Sequence, residues 1–245
     1  MVADNELDCR DPIAMDIKIA SYNVHKAVGR DRRRDPARIL AVLTEIDADV
    51  VVLQEADRRI GARPAAIPRA LIEAETDYAV AELARNHVSL GWHGNAVLVK
   101  RHLPIEATRH MELPGLEPRG AVLVRVAGLT VVGTHLGLLR NWRHRQMKAI
   151  LGHVGAMAHS TVIAGDFNEW SDVRGFEPWE EKFTVVSPGP SFPTVRPIAA
   201  LDGIAHGAGL GLRDHGVMRD GKARIASDHL PIWATFDIAR VVAPV

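Results

Sequence analysis

Residues 161–168, with the sequence TVIAGDFN, join a short apolar run to an abrupt polar end. The run Thr161-Val162-Ile163 is β-branched, which is typical of a buried strand. Asp166 and Asn168 lie two residues apart, so an extended backbone would point both side chains to the same face. A carboxylate there can deprotonate water while the amide positions the water or a phosphate oxygen. The structural alternative is an Asx turn, since Asp and Asn are common turn residues.

Four further polar segments lie at or near an end of a short apolar run: Ser21-Tyr22-Asn23, Leu53-Gln54-Glu55, Gly133-Thr134-His135 and Ser227-Asp228-His229. A buried strand is expected to stay apolar or stop at a turn. Repeated carboxylate, amide and imidazole ends therefore indicate that the strands converge on a polar site. Carboxylates with Asn suit a hard cation such as Mg²⁺, and imidazoles suit proton transfer or a phosphate. The pattern predicts a metal-dependent phosphoryl hydrolase.

Glu55 is the best candidate for a metal ligand. It ends an apolar strand, where an ionised carboxylate is costly unless a cation or a donor meets it. Asn23, at the end of a neighbouring strand, could supply a neutral oxygen, and one or two carboxylates with waters and substrate phosphate commonly hold Mg²⁺. The structural alternative is that Glu55 only caps the loop that follows it.

The candidate histidines are His229 and His135. His229 can stabilise charge on a phosphate or protonate a leaving oxygen, provided that a carboxylate fixes its tautomer. Asp202 is the predicted partner, because it follows the strand-like residues 199–201. His135 is a second residue that could face a phosphate. Each histidine could instead be a hydrogen-bonded structural residue.

Two arginine-rich segments, 30–38 and 140–148, follow the predicted site strands and could rim a phosphate pocket. Most of their charges are expected to form a solvated face. Arg119, at the start of a hairpin strand, is predicted to contact the substrate, with structural pairing as the alternative.

Composition limits the choice of function. The 245 residues contain 30 Lys and Arg and 30 Asp and Glu, and this balance counts against tight non-specific DNA binding. The single cysteine, Cys9, excludes a disulfide within the chain. The acidic N-terminus lacks the apolar core of a signal peptide, and no segment has the apolar length of a membrane span. The expectation is a cytoplasmic protein.

The chain is predicted to form one α/β domain over residues 16–245, after a flexible acidic leader over residues 1–15. Asp35 and Pro36 predict a helix start, and the helix leads into a strand at 49–54, which gives a strand–helix–strand unit. Ala127-Gly128 predicts a tight hairpin. The other predicted strands are 17–23, 95–100, 119–126, 129–135, 160–165, 200–205 and 231–237, and the other predicted helices are 65–75 and 141–157.

The ordered motifs resemble those of the endonuclease/exonuclease/phosphatase superfamily. The segments that carry the resemblance are SYNVHK (21–26), LQE (53–55), GNA (94–96), THL (134–136), GDFN (165–168) and SDHLP (227–231). The resemblance covers about residues 17–237. It implies a four-layered α/β/β/α sandwich, in which two mixed β-sheets pack face to face with helices outside and a cleft lies at one end.

The resemblance also implies residue roles. Asn23 and Glu55 would lie at a Mg²⁺ or Mn²⁺ site, and Asp228 would complete the acidic cluster on that side. Asp166 would activate water, and Asn168 would orient the water or the phosphate. His229, held by Asp202, would contact the scissile phosphate. His135 would contact another oxygen of the same phosphate.

Asn95 belongs to one of the motifs and is predicted to bind substrate together with Arg119. The sequence departs from the family pattern at Gly203, where family members often carry an aromatic residue, His or Arg. This glycine weakens the assignment of Asp202 and removes a side chain that could line the cleft.

The leading functional hypothesis is a phosphodiesterase that acts on a nucleic acid or on a small or lipid-linked phosphodiester. The second is a phosphomonoesterase on a nucleotide or sugar phosphate, with Arg119 or the arginine-rich loop holding the terminal phosphate. The third is a binding protein that keeps the fold without the chemistry. The shared core fixes the reaction type and the surface loops choose the substrate.

Overall fold

The computed structural model describes residues 14–171 and 174–239, which form twelve strands and four α-helices. The strands are β1 (Ala14–Asn23), β2 (Val50–Gln54), β3 (Tyr78–Val80), β4 (Ala96–Lys100), β5 (Ile105–Leu113), β6 (Arg119–Val126), β7 (Leu129–His135), β8 (Thr161–Asp166), β9 (Phe183–Val186), β10 (Asp202–Gly207), β11 (Gly211–Val217) and β12 (Ile232–Ala239). The α-helices are α1 (Pro36–Ile46), α2 (Arg69–Glu75), α3 (Arg140–Val154) and α4 (Ala223–Ala226). Two 3₁₀ segments span His25–Ala27 and Gly155–Ser160.

The strands form two mixed six-stranded sheets. The first has the order β11-β12-β1-β2-β4-β3 and the second has the order β5-β6-β7-β8-β10-β9. At the centre of the first sheet β1 runs parallel to β2, and in the second β7 runs parallel to β8. The carboxyl ends of both parallel pairs carry polar motifs of the sequence. Both sheets therefore contribute strand-end polar residues.

Three buried apolar clusters establish the layers. One lies between the sheets and contains Val52 from the first sheet and Val122 from the second. A second joins the first sheet to α1 through residues such as Leu43, and a third joins the second sheet to α3 through residues such as Ile150. Helices therefore cover the outer face of each sheet, which confirms the α/β/β/α sandwich.

Helix α1 begins as predicted. The side chain of Asp35 accepts a hydrogen bond from the backbone N–H of Arg38 at 3.4 Å, and Pro36 takes the first helical position. The helix ends at Ile46, and the next residue, Asp47, adopts a left-handed conformation with φ of 46°. Because Asp tolerates this conformation better than most residues, the sequence at 47 suits a helix end.

Several predicted boundaries were wrong. The helix expected over 65–75 begins only at Arg69, because Pro68 in the preceding position has an extended ψ of 133°. The helix expected over 141–157 ends at Val154 and continues as a 3₁₀ segment. Asp202 does not follow a strand over 199–201 but begins β10.

Strand β1 begins at Ala14, so residues 14 and 15 of the predicted leader belong to a strand. The rest of the predicted leader, residues 1–13 with Cys9, lies outside the described residues, as do residues 172–173 and 240–245. Within the described ranges, no helix has the length and apolar character needed to cross a bilayer.

Candidate active site

A row of polar side chains crosses the end of the second sheet. In the strand register, His135 of β7 lies opposite Asp166 of β8, and Asp166 lies opposite Asp202 of β10. Directly opposed residues on neighbouring strands point to the same face. All three side chains are buried, and His135 Nε2 lies 3.4 Å from Asp166 Oδ2. The sheet register thus brings together three residues that are far apart in the sequence.

His229 completes this row from the loop before β12. Its Nδ1 lies 2.8 Å from Asp202 Oδ2, and its Nε2 lies 3.8 Å from Asp166 Oδ2. Ser191 Oγ donates a hydrogen bond of 2.5 Å to the same Asp202 oxygen. Asp202 therefore holds the imidazole as predicted. Ser191 was missed by the sequence analysis, since it lies in a Pro/Gly-rich loop with no motif of its own.

Burial alone would lower the pKa of His229. The carboxylates of Asp202, Asp166 and Asp228 outweigh this effect and raise the pKa to about 10. For His135 burial dominates over the attraction of Asp166 and lowers the pKa to about 4. At neutral pH the site therefore pairs a protonated imidazole with a neutral one. Burial also raises the pKa of Asp166, which makes that carboxylate a stronger base.

Asn23 joins the two sheets at the site. Its Nδ2 donates to Asp166 Oδ2 at 3.0 Å, and its Oδ1 accepts the backbone N–H of His25 at 3.1 Å. Ser227 Oγ donates to the Asn23 carbonyl oxygen at 2.7 Å and so ties the end of β1 to the loop that carries His229. The sequence motif contained Ser227, but nothing local indicated this contact.

Asp166 and Asn168 line the same cavity, although not through an extended backbone. The N–H of Asn168 donates to Asp166 Oδ1 at 3.0 Å, and Asn168 has a φ of 52°. The segment is thus the Asx turn considered as the alternative, and the turn leaves Asp166 Oδ2 facing Asn23 and both imidazoles. Asn168 Nδ2 donates to the carbonyl of Leu136 at 2.9 Å.

Glu55 lines this cavity from the end of β2, together with Asn23 and Asp228. Its carboxylate contacts Lys26 Nζ and also lies 3.2 Å from Arg59 Nη2. Burial tends to raise the pKa of Glu55, but the contact with Lys26 outweighs burial and brings the pKa below its ordinary value. With a φ of 52°, Glu55 is in a conformation that non-glycine residues rarely adopt, and such residues concentrate at functional sites.

Two groups of side chains could hold a cation. Ligand atoms of Asp166, Asp202 and His229 lie within 4.8 Å of one another. His229 fits poorly as a ligand, since its Nδ1 already meets Asp202 and its raised pKa keeps a proton on each ring nitrogen. The oxygens of Asn23, Glu55 and Asp228 form a set that suits a hard divalent ion. The chemistry of the donors therefore fits Mg²⁺ or Mn²⁺ on the Glu55 side.

Asp228 is the most exposed member of the predicted site. Its carboxylate lies 3.7 Å from His25 Nδ1 and 3.3 Å from Ser227 Oγ, whose hydrogen is donated to the Asn23 carbonyl. Its Cα is held in place through the backbone carbonyl, which accepts the N–H of Thr194 at 2.8 Å. Because it lines the cavity and retains solvent contact, its carboxylate is available to an incoming ion.

The two residues predicted to bind substrate are placed differently. Arg119 lines the cavity beside His135, and its guanidinium pairs with Glu117 at 2.9 Å, while its Nε is buried without a hydrogen-bond partner. Asn95 is buried, and its Nδ2 donates to the carbonyl of Gly120 at 2.9 Å. Asn95 thus supports β6 rather than lining the cleft, and its role in substrate binding stays a prediction.

Gly203 does not leave space in the cleft, contrary to expectation. A Cβ at this position would lie 2.6 Å from the Phe167 ring, which is buried against Trp179. A side chain here would point into the outer core. The glycine accommodates Phe167, and the assignment of Asp202 is unaffected by it.

We expect Gly203→Ala to destabilise the protein by about 1–3 kcal/mol, because the Phe167 ring must leave its position in a packed cluster. Gly152→Ala is the matched control, since a Cβ at 152 in α3 meets nothing within 4 Å. That change should stabilise by about 0.5–1 kcal/mol. Urea unfolding of both variants measures the difference. Equal stability of the two would contradict the assigned role of Gly203.

Comparison with known proteins finds relatives of this chain in sequence and in fold. The chain is 28% identical over 211 residues to the uncharacterized protein YbhP of Escherichia coli strain K12. The aligned region covers 76% of this chain and 83% of that protein. The fold matches an endonuclease/exonuclease/phosphatase from Beutenbergia cavernae at a TM-score of 0.67 and 23% identity, covering 93% of this chain and 73% of that one. It also matches the mannosyl-6-phosphatase Bt3783 of Bacteroides thetaiotaomicron at a TM-score of 0.68 and 15% identity, covering 90% and 99% of the two chains.

The sequence pattern of the Endonuclease/Exonuclease/phosphatase family matches residues 20–229, a span that includes Asn23, the row of polar residues across the second sheet, and His229. The chain belongs to the Endonuclease/Exonuclease/phosphatase family.

Proposed function

We propose that this protein is a divalent-metal-dependent phosphodiesterase. The observation that carries the proposal is the arrangement of Asp166 between a neutral His135 and a protonated His229, with Asp202 fixing the second imidazole. A divalent ion held by Glu55, Asn23 and Asp228 would supply a positive charge that neutralises phosphate oxygens.

Asp166 is suited to accept a proton from water. Its pKa is raised by burial, and its Oδ2 is oriented by the hydrogen bond from Asn23 at 3.0 Å. A positioned carboxylate with a raised pKa is an effective general base. The turn at Asn168 fixes the opposite oxygen of the same carboxylate, so that the basic oxygen is held towards the cavity.

His229 is suited to stabilise negative charge. Its pKa of about 10 keeps it protonated, and its Nε2 faces the cavity beside Asp166. A fixed positive charge near a phosphate stabilises the charge that develops during displacement. His135, which stays neutral, can donate a single hydrogen bond to another phosphate oxygen.

The shape of the cleft favours a diester. The site cavity of about 330 Å³ adjoins a second cavity of about 340 Å³, and both are lined by Glu55, Arg59 and Arg119. On its other side the site cavity extends past Leu138 and Trp170. Space on both sides of the catalytic row suits a phosphate with two alcohol substituents.

A phosphomonoesterase is the second candidate, favoured by the fold shared with a mannosyl-6-phosphatase. Arg119, which was predicted to hold a terminal phosphate, is engaged with Glu117. That ion pair weighs against the second candidate.

The test is hydrolysis of bis-p-nitrophenyl phosphate and of p-nitrophenyl phosphate, with Mg²⁺ or Mn²⁺ and with EDTA. We expect metal-dependent turnover of the diester that exceeds turnover of the monoester, and its loss in the Glu55→Ala, His229→Ala double variant. Preferential hydrolysis of the monoester would select the second candidate. No turnover of either ester by the folded protein would favour a binding protein on this fold.

Glu55→Gln is expected to weaken Mn²⁺ binding about 10- to 100-fold, because the substitution removes the charge of the main oxygen ligand. Isothermal titration with Mn²⁺ measures this directly and does not require activity. Glu117→Gln is the matched control, since Glu117 lines the same cavity but pairs with Arg119. An equal loss of affinity in both variants would show that general negative charge, and not ligation by Glu55, binds the ion.

A further inference from the structure

The large apolar side chains that are exposed within the described ranges all lie at one end of the sandwich. Five belong to the loops that follow β2, β5, β7 and β8: Ile60, Leu116, Leu138, Leu139 and Trp170. The exposed fraction is 89% for Ile60 and 78% for Leu116. These loops leave the sheets at the end where the catalytic groups meet.

The other three belong to loops that enter the same end. Val195 and Ile198 lie between β9 and β10, and Ile225 lies in the segment between β11 and β12. The loops at the opposite end expose no large apolar side chain in the part of the chain that the structure describes. The eight residues therefore all lie on loops at the cleft end, and we call them together the apolar ring.

Arginines are interleaved with the apolar ring. Arg58 lies two residues before Ile60, and Arg224 directly precedes Ile225. Arg196 lies between Val195 and Ile198. All three arginines are exposed, and within residues 14–171 and 174–239 none of them has a carboxylate partner. The cleft end thus presents unneutralised positive charge beside exposed apolar groups.

At the opposite end, four cations each face a carboxylate: Lys100 with Asp47 at 2.7 Å, Arg101 with Asp77 at 4.0 Å, Arg125 with Glu106 at 3.6 Å, and Arg213 with Asp237. These four charges are paired, whereas the three arginines beside the apolar ring are free to meet an external anion.

We propose that the cleft end of this protein docks on the surface of an anionic lipid layer. Single apolar side chains projecting from separate loops can enter a fluid layer, and the interleaved arginines can meet its anionic headgroups. A protein partner would call for a contiguous packed patch with a shaped core. A single-stranded nucleic acid would call for stacking aromatics, and Trp170 is the ring's one aromatic member.

Docking in this orientation turns the cavity towards the lipid surface. Phosphodiesters of the bound layer would then lie in front of the catalytic row. Lipid binding does not require the proposed hydrolysis, so each can fail without the other.

The test is cosedimentation with vesicles of phosphatidylglycerol and phosphatidylcholine in equal parts, compared with vesicles of phosphatidylcholine alone. The variant carries Leu116→Ser, Leu139→Ser, Val195→Ser and Ile198→Ser, at exposed positions. Leu139 is the N-cap of α3 without a side-chain cap, so Ser suits the helix start. Arg109→Ser, an exposed change in the middle of β5, is the control.

We expect wild type and the Arg109→Ser control to bind the anionic vesicles, and the quadruple variant to bind them at least about tenfold more weakly. Binding should also weaken as salt rises to about 0.5 M. Circular dichroism and an unchanged melting temperature establish that the variant is folded.

Four results would overturn the proposal. Wild type could stay in the supernatant with both kinds of vesicle, or the quadruple variant could bind as well as wild type. The protein could bind a short-chain phosphatidylglycerol below its micelle concentration but not bind vesicles. The ring would then be a binding site for single amphiphiles and not for a lipid layer. Self-association of wild type that the variant loses, without vesicle binding, would assign the ring to contacts between copies of this chain.

Discussion

Asp166→Asn is expected to lower the rate of diester hydrolysis about 10³-fold while the protein stays folded. The amide cannot accept the proton that the carboxylate is proposed to take from water. Asn23 Nδ2 and the N–H of Asn168 donate to different oxygens of the carboxylate, so the single amide oxygen can keep only one of these two hydrogen bonds. The loss should therefore appear in kcat, with KM changed little.

Two opposing effects should leave the stability of this variant close to that of wild type. Burial and the neighbouring Asp202 raise the pKa of Asp166, so its carboxylate is less favourable in the folded protein than in the unfolded chain at neutral pH. Removal of that charge should offset the lost hydrogen bond, so that the melting temperature at neutral pH stays within about 2–4 °C of wild type. The stabilising effect should vanish at low pH, where the wild-type carboxyl is protonated. Differential scanning calorimetry at neutral and acidic pH measures both.

A second variant tests the effect of a buried charge on stability. Asn95→Asp also exchanges a carboxylate and an amide in a buried residue near the end of a strand, but in the opposite direction. It should lower the melting temperature through an uncompensated buried charge. An Asp166→Asn variant that kept more than about a tenth of the activity would remove Asp166 from the role of general base.

The strands that the sequence analysis found are those at the centres of the sheets. The four that it missed, β3, β5, β9 and β11, are the edge strands of the two sheets. An edge strand has a less buried face and therefore a weaker apolar pattern, as in β11, where no residue is buried. Sequence patterns report burial, so they identify a sheet from its centre outwards.

The same dependence on burial explains which residues of the candidate site could be predicted from the sequence. Asp166 and His135 were found because each ends a buried central strand, where a polar side chain stands out. Ser191 was missed because its contact with Asp202 depends on how a long loop folds back. The contact of Lys26 with Glu55 was also missed, since it depends on a left-handed backbone at both residues. Long-range closure and unusual backbone geometry leave no local signal in the sequence.

Asp202→Asn is expected to lower the rate about 10²- to 10³-fold and to change its dependence on pH. Asp202 makes the largest contribution among the carboxylates that raise the pKa of His229, and without its charge only Asp166 and Asp228 oppose the desolvation of the buried imidazole. The pKa of His229 should then fall from about 10 towards its ordinary value. If the reaction needs protonated His229, the rate of the wild-type protein should stay constant from neutral into alkaline pH.

In the variant the same rate should decline at much lower pH, so that the defect is smallest under acidic conditions and grows as the pH rises. Rates measured from about pH 5 to pH 10, together with NMR titration of the His229 ring, test this. Ser191→Ala is the control, because it removes a hydrogen bond to Asp202 but keeps the negative charge beside the imidazole. It should lower the rate only about tenfold and leave the pH profile close to that of wild type. If Asp202→Asn lowered the rate without moving the pH profile, Asp202 would orient His229 without setting its charge, and the stabilisation of the phosphate would have to come from the Glu55 side of the cleft.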